Sequence, residues 1–170
     1  MKTIRTLFLL FISIFILTIS ISIASADKEQ DNILSSAESL FKMMKEKNYS
    51  KIWLYLSNAS RNSITNDSYK NIMKYEEGRG REMRYSREQI GVDFSNGGTI
   101  AQAYWNSYLD VFNPDIVLEQ SRWKMGKVSK DRAQINVTYR KAERPAIIQM
   151  YKEDGRWRVG LTETFTSSKR

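Results

Sequence analysis

The stretch from Ala146 to Phe165, AIIQMYKEDGRWRVGLTETF, restricts the fold more than any other part of the chain. Asp154-Gly155 is a favoured pair for a two-residue type I′ turn, in which both residues take positive φ. With that turn, Glu153 faces Arg156, Lys152 faces Trp157, Met150 faces Val159, Ile148 faces Leu161 and Ala146 faces Glu163. Side chains alternate along a strand, so Ile148, Met150, Trp157, Val159 and Leu161 share one face. Gln149, Tyr151, Arg158, Gly160 and Thr162 occupy the other, which is mostly polar. Turn chemistry and alternation agree on a single register. The apolar face is too large to stay wet, so other elements must cover it.

Those elements lie upstream. Lys28 to Lys47 has helical periodicity, with Ile33, Ala37, Leu40, Phe41 and Met44 on one stripe and Asp27 with Gln30 as a capping pair. Asn48 interrupts it, and Ser50 to Leu56 reads as a second helix that turns Tyr49, Ile52, Trp53 and Leu56 towards the first. Ser57 to Asp67 is polar and reads as weakly structured; Ser68 to Tyr75 reads as a short helix through Tyr69, Ile72 and Met73. Glu76 to Arg87 mixes four arginines with acids that nearly cancel them, which predicts a solvated loop. Gln89 to Phe94 alternates like a short strand with Ile90, Val92 and Phe94 on one side, and Asp93 beside it suits a turn or a cap.

Asn96-Gly97-Gly98 is a break, after which Thr99 caps a helix to Phe112. Its predicted apolar stripe is Ile100, Ala103, Tyr104, Tyr108, Val111 and Phe112, and Asn113-Pro114 ends it. The Gly pair lacks the other glycines and the Lys of a phosphate loop. From Pro114 the period becomes strand-like. Val117 to Val128 reads as one strand and Ala133 to Tyr139 as the next, with Ala133, Ile135, Val137 and Tyr139 pointing one way. Either a three-residue loop, Ser129 to Asp131, or a bulge at Gly126 brings Trp123 and Met125 onto that face. Arg140 to Pro145 connects to the final hairpin, and Ser167 to Arg170 is a polar tail.

Residues 1–26 resemble a secretory signal: Lys2 and Arg5, an apolar run from Leu7 to Ile23, then Ala24-Ser25-Ala26. Cleavage there predicts an exported protein, periplasmic or secreted, and a single domain over 27–170; retention would make the segment an anchor. Residues 27–170 hold 25 basic and 19 acidic residues, net +6. That excess favours contact with anionic surfaces such as lipid headgroups, whereas export argues against a nucleic-acid partner.

The element order resembles the nuclear transport factor 2-like superfamily in its bacterial exported branch, over about Asp27 to Phe165. The residues that carry the likeness are the closing hairpin Glu153-Asp154-Gly155-Arg156-Trp157-Arg158-Val159-Gly160 and Tyr104-Trp105 in the preceding helix. The resemblance implies an α+β fold in which N-terminal helices pack on the concave face of a strongly curved antiparallel sheet, a cone with an internal pocket. Shared fold does not carry function across in such a superfamily.

The chain has no histidine and no cysteine, which removes imidazole and thiol chemistry and zinc sites built on either residue. No cofactor and no metal site is read from it. An enzyme would have to use carboxylates and tyrosines. Glu163, placed on the face of Trp157, Val159 and Leu161, is the one catalytic candidate; the alternative reading puts it at the rim of the sheet or paired with an arginine such as Arg122 or Arg144. Glu119, on the face of Val117, Ser121 and Trp123, points towards the same interior. Tyr104, Trp105, Tyr108, Trp123 and Tyr139, with the two acids, are the candidate pocket lining; each aromatic also suits a filled core. The expected role is non-enzymatic binding of a small apolar or amphipathic ligand or of an envelope protein. A carboxylate/tyrosine isomerase or dehydratase and a membrane-anchored assembly subunit of a secretion system are the alternatives.

Overall fold

The computed structural model describes residues 27–142 and 144–166, so the expected signal segment and the polar tail lie outside the described residues. The chain divides into two units between Asn32 and Ile33. Residues 27–45 are helical (α1), and the unit that begins at Ile33 holds the rest of that helix and every later element. Among the described residues no helix is long and apolar enough to cross a membrane.

After α1 come α2 (Tyr49–Tyr55), α3 (Asn58–Glu77), α4 (Arg87–Asn96), α5 (Thr99–Val111) and α6 (Pro114–Glu119). The strands β1 (Ser121–Val128), β2 (Arg132–Tyr139), β3 (Ala146–Glu153) and β4 (Arg156–Gly160) come next, and α7 (Leu161–Thr166) closes the fold. The protein is α+β: the strands form one antiparallel sheet in the order β1-β2-β3-β4.

The closing hairpin has the register its turn dictates. Asp154 (φ 50) and Gly155 (φ 74) both sit at positive φ, and Glu153 pairs with Arg156, Lys152 with Trp157 and Met150 with Val159. The expected pairs of Ile148 with Leu161 and Ala146 with Glu163 do not form, because β4 ends at Gly160 and the chain turns helical. Side chains take over from the ladder there. The Thr164 hydroxyl donates to the Gly160 carbonyl at 2.6 Å and accepts from the Gln149 N–H at 3.0 Å. A Cβ on Gly160 would lie 2.5 Å from the Tyr151 ring, so only glycine lets the chain pass this close.

Between β1 and β2 the slip lies at the Gly126 bulge. Met125 pairs with Ile135 but Val128 with Ala133, one extra residue on β1. Trp123 and Met125 thereby share a face with Ala133, Ile135 and Val137. The helices cover that face. The Ser36 hydroxyl of α1 donates to the Trp157 carbonyl at 2.5 Å, and Phe41 meets Trp123 edge-on at 5.9 Å between centroids. Ile33, Ala37, Leu40, Phe41 and Met44 are all buried, as their spacing predicts, and so are Trp157 and Leu161.

Three readings of the middle of the chain are corrected. Ser57 to Asp67 is not loose: it begins α3, a 20-residue helix that also absorbs the expected short helix at Ser68 to Tyr75. Its inner line is Ser60, Ile64, Ser68, Ile72 and Glu76, one residue every four. Two small serines and a carboxylate stand where apolar residues are expected, which hides the period. Second, Gln89 to Phe94 is helical. Ser86 and Gln89 make a reciprocal capping box (2.8 and 3.2 Å), and Ile90 and Phe94 are buried one turn apart while Val92 is exposed. Third, Val117 to Glu119 belong to α6, not to β1. Asn113 caps that helix through the Asp115 N–H at 2.9 Å, and Pro114 occupies its first turn. Asn-Pro therefore stops one helix and starts the next.

The loop after α3 is tied at its root. Arg81 grips the buried Glu76 carboxylate, with Nε at 2.6 Å, and Arg79 stacks on Tyr75 at 4.5 Å.

Candidate functional site

Helix α5 starts at Gly98 and is held there by Asp93 of α4, whose Oδ1 accepts the Ala101 N–H at 2.8 Å. Thr99 is not the cap expected of it: Gly98 stands at the N-cap position with no side-chain cap bond, and Asp93, read as a turn or a cap, does the capping. The anchor sets the helix's rotation about its axis. Ala101 and Trp105 face the core, and Trp105 is fully buried. The predicted stripe is only partly right: Ala103 and Val111 are exposed, while Ile100, Tyr104, Tyr108 and Phe112 are half-buried. More apolar surface stands on α5 than its neighbours cover.

The uncovered part forms a groove against α3, with a volume of about 600 Å³. Helix α3 supplies Ser68, Asn71 and Ile72; α5 supplies Thr99, Ile100, Ala103, Tyr104, Ser107 and Tyr108. The groove exists because α3 presents small and polar side chains where a bulky one would fill the gap. Its size lies within the range of small-molecule sites, roughly 300–1,000 Å³.

Two tyrosines give this groove its chemistry. They stand one turn apart on α5, within a continuous run of aromatic contacts. Trp53 stacks on Phe94 at 4.8 Å, Phe94 meets Tyr104 at 5.4 Å, and Tyr104, Trp105, Tyr108 and Phe112 follow at 5.0, 5.7 and 5.3 Å. Such packing holds both rings rigidly. Burial pushes the Tyr104 phenol up to about 12, with nearby Asp67 adding to it. Burial pushes Tyr108 up as well, with Tyr104 adding to it. Both hydroxyls therefore keep their protons at any physiological pH and serve as donors. Neither bonds another described residue. The Ser68 hydroxyl in the groove wall is buried and without a partner.

The other residues named from sequence stand elsewhere. Trp105 fills the core behind the two tyrosines. Trp123 sits on β1 with its indole N–H donating to the Val117 carbonyl at 2.9 Å. Tyr139 is half-buried at the end of β2, opposite Ser121. Glu119 does not share a strand face with Trp123. It lies exposed at the end of α6, where Lys45 of α1 reaches it at 2.6 Å and Asp115 at 2.7 Å. Those two acids, Asp115 first, hold the Lys45 ammonium above its usual range.

Glu163 is likewise not on the face of Trp157 and Val159. It lies on α7, with its carboxylate at the N-terminus of α3. The hydroxyls of Ser57, Ser60 and Thr162 donate to it at 2.7, 2.5 and 2.9 Å. Ser57 is also the α3 N-cap, accepting the Ser60 N–H at 3.0 Å. A second carboxylate, Glu153, accepts the Asn58 N–H at 3.0 and 2.9 Å. Two acids thus meet the positive end of α3 and fasten the closing hairpin and α7 to it. Glu163 does not line the groove, and both its oxygens are engaged. Its geometry is that of a structural anchor.

Of the seven candidates, the groove brings together Tyr104 and Tyr108. It adds Ser68, Ile72, Ile100 and Ala103, of which Ser68 and Ile72 lie in α3, the helix whose period the serines conceal. A four-residue spacing of Ser60, Ile64, Ser68 and Ile72 was the available signal. Among the described residues no group of three or more acids has the placement of a metal site. Compared with protein-family models, curated proteins and solved structures, the chain gives no match.

Proposed function

We propose that the protein is a non-enzymatic binding module whose α3/α5 groove takes a small amphipathic molecule. The observation that carries this is the pairing of an apolar cleft with two rigid phenol donors that no described residue uses. A ligand matched to it has an apolar body to lie along Ile72, Ile100 and Ala103, and an acceptor group, a carbonyl or an acid, to meet Tyr104 and Tyr108. The same reading takes the chain for an exported, nuclear transport factor 2-like module. Its order of helices before a four-strand meander, with helices packed on one sheet face, supports that family; the bending of the sheet into a cone is part of the proposal.

The test uses anilinonaphthalene sulfonate, an apolar ring system with an anionic acceptor, followed by its fluorescence at native pH. The expected result is saturable binding at one site. Ala103→Trp, at an exposed position in the groove, abolishes it while leaving the melting curve unchanged. Tyr104→Phe with Tyr108→Phe weakens it roughly tenfold, about one hydrogen bond's worth of affinity. Binding indifferent to Ala103→Trp overturns the assignment.

A further inference from the structure

The net charge of residues 27–170 is not spread over the surface. Residues 120–142, which contain β1, β2 and their connection, hold seven basic residues and one acid, Asp131, a net +6. The rest of 27–170 holds 18 basic and 18 acidic residues and is neutral. Four of these excess charges sit on the β1–β2 hairpin itself, and Arg140 and Lys141 in the turn just after it supply the other two. Arg122, Lys124, Lys127, Lys130, Arg132, Arg140 and Lys141 are all exposed. Among the described residues none of them forms an ion pair, whereas Lys42, Lys45, Arg81 and Arg158 elsewhere do.

The fold arranges these charges along one margin. Among the described residues β1 has no strand beyond it, whereas the β4 margin is bridged at Val159 by Leu56. Arg122 and Lys124 alternate with Trp123 and Met125, so they stand on the sheet face away from the helices, opposite Thr138 and Asn136. Lys127, Lys130 and Arg132 cluster at the turn end, with exposed Val128 among them; Arg140 and Lys141 lie at the other end. The line of charge is as long as β1, roughly 24 Å at a strand's rise. Charges on an edge strand also deter strand-to-strand aggregation. That purpose does not need all the excess charge of the chain on one hairpin and the turn after it.

We propose that this hairpin is a docking surface for an anionic phospholipid bilayer. The partner follows from the surface's shape and chemistry. The cations line an open edge, not a cleft, which suits a planar array of headgroups. Exposed Val128 lies among them and exposed Ile147 stands on β3 on the same sheet face, beyond Asn136 from Lys124, apolar contacts for the headgroup boundary. A single-stranded nucleic acid would be bound by aromatic faces among the cations. Trp123 is not free for that, since it packs against Phe41 and bonds the Val117 carbonyl, and Tyr139 is half-buried on the helix-facing side with Ile135 and Val137. The surface is separate from the α3/α5 groove, so either assignment can fail alone.

The experiment is vesicle co-sedimentation of the full chain at 0.1 M salt. Vesicles of phosphatidylcholine alone are compared with vesicles carrying a quarter phosphatidylglycerol. Any affinity of the apolar sequence Leu7–Ile23 is common to both, so the readout is the ratio between them. Each lysine near an anionic surface contributes roughly fivefold in partitioning. Lys124→Gln, Lys127→Gln and Lys130→Gln together are expected to lower the ratio roughly a hundredfold. The control, Lys51→Gln, Lys70→Gln and Lys74→Gln, removes the same charge from exposed positions on α2 and α3 and is expected to lower it less than about fivefold. All six side chains are exposed, so both variants fold. Equal losses in the two variants, no preference for the anionic vesicles, or tighter binding to a DNA duplex than to them at the same salt each overturn the proposal.

Discussion

Replacing Glu163 by Gln separates an anchoring carboxylate from a catalytic one. In the native fold three hydroxyls donate to it, at 2.7, 2.5 and 2.9 Å. A hydrogen bond to a charged group is worth about 1.5–3 kcal/mol, against about 1 for a neutral one. Glutamine keeps the shape and one acceptor oxygen. Its NH₂ replaces the other, and the hydroxyl facing it must turn and lose its acceptor. The favourable charge at the α3 N-terminus, about 0.3–1 kcal/mol, goes as well. Together these changes destabilise the fold by roughly 2–3 kcal/mol. Ser60→Ala removes the shortest partner from a fully buried position and is expected to lose roughly 1–2 kcal/mol. Because the two side chains share one bond, the double variant should lose less than the sum, with a coupling of roughly 1 kcal/mol or more. Urea denaturation followed by far-UV circular dichroism measures all four corners of the cycle. Additive losses within about 0.3 kcal/mol, or a Glu163→Gln protein as stable as the parent, would refute the anchor.

Asp93→Ala removes the acceptor for the Ala101 N–H and should lower stability by roughly 1 kcal/mol, with Asp93→Asn retaining most of it; chemical denaturation compares the two. The buried tyrosines predict alkaline behaviour of a definite sign. Tyr104 and Tyr108 keep their protons in the fold above the ordinary phenol value, so the unfolded chain loses protons first. Their contribution is whole below pH about 10 and is lost as pH rises through about 12 for Tyr104 and higher still for Tyr108. Ultraviolet titration should show these two phenols ionising last. Complete ionisation of all nine tyrosines near pH 10 in a protein that is still folded would contradict the burial assigned to them.

The parts of this protein that local chemistry dictates are legible in the order of its residues. Asp154-Gly155 sets the hairpin register as far as Gly160, because a type I′ turn and strict alternation leave no second solution. The first helix declares its buried stripe, since every fully buried position on it is apolar. Asp93 is recognisable as a cap, and the Gly126 bulge as one of two ways to seat Trp123. Tyr104 and Tyr108 stand among the candidates, but nothing in the one-dimensional pattern separates them from Trp105. Helix rotation about its axis makes that distinction, and the Asp93 anchor and packing against α2 and α4 set the rotation.

What tertiary structure decided is concentrated where polar side chains do core work. On the inner line of α3, Ser60 is satisfied by Glu163, 103 residues away, which no local window contains, while Glu76 is held by Arg81 just beyond the helix. Glu163 leaves the strand because three hydroxyls, two of them about a hundred residues earlier, hold it elsewhere. The groove follows from the same fact, as small side chains on one helix leave apolar surface bare on another. The sequence by itself determined which segments must bury a face and where the chain must turn. Only long-range contact decided which polar residues would stand among them, because a hydrogen-bonded serine and a solvated one are written with the same letter.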